Sequence, residues 1–229
     1  TRQALHLRPD PARVVVRPFK PATEPRDLNP ADKTRANHIL DRVLALSPED
    51  VASQLADVLE NFEGRHRRLL EKFEARAEEM EDASARHRDY TPAQRQLVGA
   101  YFLHEYSFEA AALFNPSIVA HPDQSGARDG GLRFILSLRA VGEGHISSLT
   151  FRSGTLAADG SVSIDATARL ATVPIVRERV PGPLGDTVAL TFETECELSE
   201  RVIFPVTPSQ SNGIEDARFV EMRESGGSI

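Results

Sequence analysis

Residues 132–151 read LRFILSLRAVGEGHISSLTF, and the reading of this stretch decides the fold. Leu132 to Leu138 is an apolar run closed by Arg139. Gly142 and Gly144 then bracket Glu143, and His145 opens a second run that reaches Phe151. Short runs rich in branched and aromatic residues, bounded by glycine, predict strands, so the stretch predicts a β-hairpin with a polar tip. A turn needs only residues that tolerate its backbone angles. Arg139, Glu143 and His145 exceed that need and mark a place for chemistry.

Towards the C-terminus the same texture continues: Val162 to Ala168, Val188 to Thr194 and Arg201 to Phe204 predict further strands of an antiparallel meander, with Asp129-Gly130-Gly131 and Asp159-Gly160 as turns. Towards the N-terminus it stops near Phe114. Before that point three pairs, Asn29-Pro30, Ser47-Pro48 and Thr91-Pro92, each set a capping side chain ahead of a proline, the arrangement that starts a helix. Gln94 completes a capping box with Thr91. Ile39, Leu40, Val43 and Leu44, then Val51, Leu55, Val58, Leu59 and Phe62, recur at helical spacing. The second helix is expected to run on through Arg65, His66, Arg67 and Arg68 to an acidic stretch, Glu74 to Asp82, as a solvated face with spaced ion pairs. The expected class is therefore α+β: an arm over 1–28, helices over 29–113 and strands over 114–229.

A chain of 229 residues with 40% apolar and 27% charged residues is an ordinary globular composition, and a net charge of −7 argues against a phosphate-backbone binder, so nucleic acid is not an expected partner. No stretch reaches the ~18 apolar residues of a membrane span, and residues 1–10 lack a signal-peptide core. Cys196 stands alone, which fits a reducing cytoplasm. Glu143, His145 and Asp123 lack the tight spacing of metal ligands, so neither metal nor cofactor is expected.

Two more segments concentrate polar residues beyond what strands require: Phe114-Asn115-Pro116-Ser117, and Asn212-Gly213-Ile214-Glu215-Asp216-Ala217-Arg218. The second sets two carboxylates beside an arginine. Glycoside cleavage uses a carboxyl group that protonates the leaving oxygen, with neighbouring charges tuning it and orienting the sugar. Together with Arg133 to Arg139, these segments occur in an order that resembles glycoside hydrolase family 130, over roughly residues 114–221. The marker is Gly213-Ile214-Glu215-Asp216-Ala217-Arg218, similar to that family's Gly-x-Glu-Asp-Pro-Arg motif, with Ala217 where proline is commonest.

The resemblance implies an inverting enzyme on β-mannosides or related oligosaccharides, a phosphorylase or a hydrolase, with inorganic phosphate as co-substrate in the first case. It implies Asp216 as general acid, Asn115 and Arg139 as sugar-binding residues, Glu215 and Arg218 as flanking residues that set the acid's geometry, and His145 and Ser147 as further substrate-binding candidates. It also implies a five-bladed β-propeller, of which 114–229 would supply the first blades. Such a propeller needs about 20 strands, so the chain is expected to be an N-terminal fragment, inactive alone, whose helical extension packs on the propeller or on a second copy. The competing reading is a non-catalytic assembly or sugar-binding protein.

Overall fold

The computed structural model describes residues 4–22, 34–84, 87–127, 130–182, 187–207, 210 and 213–221. Strand β1 (Val14–Pro18) is followed by helices α1 (Arg35–Leu44), α2 (Pro48–Phe62), α3 (Leu69–Asp82) and α4 (Pro92–Tyr101). Strands β2 (Leu103–Ser107), β3 (Ala112–Ala120), β4 (Leu132–Val141), β5 (Ser147–Leu156), β6 (Val162–Ile164), β7 (Ile175–Val180), β8 (Thr187–Thr191) and β9 (Val202–Ile203) complete the order. Residue contacts divide the chain into a helical unit, Val16–Tyr106, and a β unit, Thr1–Val15 with Ser107–Ile229. The division comes before the change of texture at Phe114 because Phe108 and Glu109 are already buried within the β unit, as is Arg13 from the arm.

In the helical unit the caps act locally. Ser47 and Thr91 accept bonds from the backbone N–H of Asp50 and Gln94, and the Thr91/Gln94 box is complete. The pair Asn29-Pro30 lies outside the described residues; α1 is capped by Thr34. Leu40, Val43, Val51, Ala77, Leu97, Val98 and Phe102 form the core. Gly99 lets α3 approach α4, since a Cβ there would stand 1.8 Å from the carbonyl oxygen of Phe73.

The expected continuous second helix is instead broken between Phe62 and Leu69, with Gly64 and Arg68 in the left-handed region at φ 70° and 49°. The physical reason is the anchoring of His66 and Arg65 on Glu105. His66, with no exposed side-chain surface, lies 2.6 Å from Glu105 through Nε2, and Arg65 pairs with the other Glu105 oxygen at 2.9 Å. A straight helix would carry these residues past Glu105. Burial holds the His66 imidazole below its ordinary titration range, with the hydrogen bond to Glu105 opposing and Lys72 and Arg65 adding to the fall.

In the β unit, β3-β4-β5-β6 form an antiparallel meander, and β9 joins β5 beside β6 in the same 5-stranded sheet. Strand alternation gives the β4–β5 hairpin two distinct faces. Phe134, Leu136 and Leu138 point to one face, where Leu113, Val162 and Ile164 pack on them. Ile135, Ser137 and Arg139, with Ser147 and Phe151 from β5, belong to the other.

The expected propeller blades are corrected by this topology. The sheets are open and antiparallel, and among the described residues none closes into a barrel or propeller. After β6 the chain forms a separate β7–β8 ribbon and then returns to β5 as β9, rather than building a second stacked sheet. The residues of β7 are all exposed and β8 only half-buries Val188 and Leu190, so this ribbon has no fully buried apolar face of the kind that stacked sheets require. What stands is a mixed α+β chain with antiparallel sheets. No helix among the described residues is long and apolar enough to cross a membrane.

Two outcomes are expected in the helical unit. Gly99→Ala must displace α3 backbone and should lower stability by about 1–3 kcal/mol, read from urea denaturation. Unfolded His66 takes up its proton near pH 6.5, whereas the folded imidazole does so lower. The unfolded chain therefore holds more protons between the two values, and stability should fall as pH drops from about 6.5 through the folded value. Denaturation midpoints for His66→Gln should show a weaker fall over that window.

Candidate functional site

Asn115 owes its position to a β-bulge. The β3–β4 register runs Phe114 to Arg139 and then Ser117 to Ser137, so residues 115 and 116 share one place opposite Leu138. Asn115 takes the left-handed conformation at φ 50°, which asparagine tolerates better than most residues. The bulge brings its side chain to Asp216, itself left-handed at φ 51°, and Nδ2 donates a hydrogen bond to Asp216 Oδ1.

Residues 213–219 cross the sheet on the face that carries Arg139. Ile214 N donates to the carbonyl oxygen of Ser147 on β5 at 3.1 Å. Glu215 Oε1 accepts from Arg139 Nη2 on β4. Arg218 Nη1 donates to the carbonyl oxygen of Asn115 on β3 at 3.1 Å. Phe219 N donates to Ser117 Oγ at 3.1 Å, while its ring meets the Phe151 ring edge-on with centroids 5.8 Å apart. One short segment thus touches β5, β4 and β3 in turn.

The sequence-derived candidates Asn115, Arg139, Ser147, Glu215, Asp216 and Arg218 are joined by these bonds. Ser147 is fully buried, and its hydroxyl accepts from Arg139 Nε at 2.9 Å, so it braces the arginine rather than facing a sugar. His145 stands apart: it is exposed, left-handed at φ 61°, in a one-turn 3-10 segment before β5, and none of the bonds joining the others includes it. Glu143 in that turn accepts from Ser107 N at 3.0 Å. Glu215 and Asp216 are both exposed. Among the described residues Asp216 Oδ2 and Arg139 Nη1 have no protein partner, so the patch presents one open carboxylate oxygen and one open donor.

The opposite face of the sheet holds a cluster that the sequence reading did not single out. Glu109, with no exposed surface, receives Arg13 Nη1, Arg152 Nη2 at 2.8 Å and Thr150 Oγ1 at 3.3 Å on Oε1, and Asp10 N at 3.2 Å on Oε2. Arg13 also donates to the carbonyl oxygen of Ser199 and lies 5.0 Å over the Phe108 ring. Burial pulls the Arg13 guanidinium below its ordinary value, Glu109 opposes and Arg152 adds; an arginine remains charged throughout. The available signal was Arg152 itself, which alternation from Leu136 and Leu138 assigns to the core face. Its ionic partner Glu109 lies 43 residues away in sequence, beyond any local pattern.

Comparison with protein-family models, with curated proteins and with solved structures finds no match.

Removing one member of a buried ion network leaves its partners charged and unpaired. Glu109→Gln should destabilise the β unit by about 3–5 kcal/mol in urea denaturation. Arg139→Ala, half-exposed on the other face, should change stability far less.

Proposed function

We propose that the patch formed by Asn115, Arg139, Glu215, Asp216 and Arg218 is part of the active site of an inverting enzyme on β-mannosides or related glycosides, with Asp216 as proton donor. The observation that carries this reading is the bond from Asn115 to Asp216 Oδ1, which orients the carboxyl group and leaves Oδ2 open. The motif resemblance supports the same residue.

In this reading Oδ2 carries the proton to the glycosidic oxygen as the bond to the anomeric carbon breaks. Water or phosphate attacks that carbon from the opposite side of the sugar ring, giving inversion. Asn115 fixes which oxygen carries the proton. Glu215 is held by Arg139, while Nη1 of Arg139 is available to a sugar hydroxyl. Arg218 clamps the acid-bearing segment to the Asn115 carbonyl. Hydrolysis and phosphorolysis share this acid half and differ only in the attacking group.

In the protein as its gene encodes it, Asp216→Asn should reduce turnover of β-mannobiose about 10²- to 10⁴-fold, with or without phosphate, the range associated with losing a general acid. KM should change little. A β-mannoside with a good leaving group needs less protonation and should lose less. Undiminished turnover by the Asn variant would remove Asp216 from this role. Sugar binding at the patch without turnover by the unsubstituted protein would favour a non-catalytic sugar-binding function.

A further inference from the structure

The hydrogen bonds of the acid-bearing segment form a circuit that begins and ends on one residue. The carbonyl oxygen of Ser147 accepts Ile214 N at 3.1 Å; the chain runs one residue further to Glu215; Glu215 accepts from Arg139 Nη2; and Arg139 Nε donates back to Ser147 Oγ at 2.9 Å. At the entry to this circuit lies Gly213, at φ 113°, with its N–H donating to the carbonyl oxygen of Gln210 at 2.8 Å. A Cβ on Gly213 would stand 2.9 Å from both the Cβ and the backbone nitrogen of Ser147. That approach is closer than side-chain carbons adopt, and the backbone angle is one that glycine alone takes without strain.

We propose that Gly213 and Ser147 are positioning residues of the site: their backbone-to-backbone docking sets the height and direction at which Glu215 and Asp216 stand over the sheet. This rests on the reading of Asp216 as proton donor for its catalytic consequence, but the docking is a separate geometric claim. Ser147 has no exposed surface and so acts through Arg139 and Ile214. A side chain at position 213 must either lift the segment from β5 or rotate its backbone. Asp216 follows three residues later, and its bond to Asn115 reports the displacement. A shift of about 1 Å in a reacting group can reduce a rate 100-fold.

The test uses Gly213→Ala and Ser147→Ala in the full chain, with two readouts. The first is the ¹H–¹⁵N spectrum, following the Asn115 side-chain amide and the Arg139 Nε–H, with the backbone amides of β4 and β5 as a control for the fold. In Gly213→Ala the β4–β5 pattern should persist, while the Asn115 amide moves towards the position of a free asparagine and exchanges faster with water. In Ser147→Ala the Arg139 Nε–H should lose protection. The second readout is kcat and KM on β-mannobiose for the protein as its gene encodes it: kcat should fall about 100-fold in Gly213→Ala with KM little changed, and by less in Ser147→Ala. Should Gly213→Ala disrupt the β4–β5 pattern, Ser147→Ala decides by the same signals. Unmoved Asn115 and Arg139 signals in folded variants overturn the proposal, and so does unchanged kcat once those signals have moved. If the unsubstituted protein cleaves no β-mannoside while the spectra respond as stated, the docking claim holds and the mannoside reading fails.

Discussion

The register of β4 against β5 is the constraint on which the β unit depends. It pairs Arg139 with Leu149 and Leu138 with Thr150, so neighbouring positions serve opposite purposes. On one face Phe134, Leu136 and Leu138 build the core. On the other, Arg139, Ser147 and Phe151 receive residues 213–219. A slip of one residue would exchange the faces, presenting Leu138 to residues 213–219 and burying Arg139 among apolar side chains. Core and candidate site therefore exclude the same errors. The β3 bulge adds a local departure in the neighbouring β3–β4 register, turning Asn115 towards Asp216 while Ser117 still pairs with Ser137.

Beneath this sheet face lies the buried carboxylate of Glu109. Burying an isolated charge carries a desolvation penalty of several kcal/mol, and it is tolerated here because guanidinium groups from Arg13 and Arg152, a hydroxyl and a backbone N–H surround it. The arrangement ties residues 10–13 to strand β5, the strand that also supplies Ser147. The helical unit shows the same logic in miniature, where Glu105 holds the buried His66 and pairs with the half-exposed Arg65, interrupting what periodicity presents as one helix.

Local chemistry was legible where it is complete in a few residues. The Ser47 and Thr91 caps, the strand runs around Leu136 and Leu149, and the Asp159-Gly160 turn are decided by neighbours in sequence. The candidate site was legible through residue types in excess of turn chemistry: Arg139, Asn115 and the Glu215-Asp216 pair. What escaped is set by distant partners. Nothing near Arg65 announces Glu105, and nothing near Glu109 announces Arg13 or Arg152. His145 appeared beside Arg139 on a hairpin tip, but a short 3-10 turn takes it away from the bonded group. The propeller expectation came from the motif resemblance, and no local signal could have shown that β9 returns to β5.

In the proposed reaction the open carboxylate oxygen of Asp216 donates a proton to a glycosidic bond while a nucleophile attacks from the other side. Its most direct test is the stereochemistry of the first-formed product, followed by ¹H NMR before mutarotation, using a β-mannoside and the protein as its gene encodes it. Inversion requires that the α-anomer appear first, as α-mannose in water or α-mannose 1-phosphate in phosphate. First appearance of the β-anomer, or no sugar release from any β-mannoside, would contradict it.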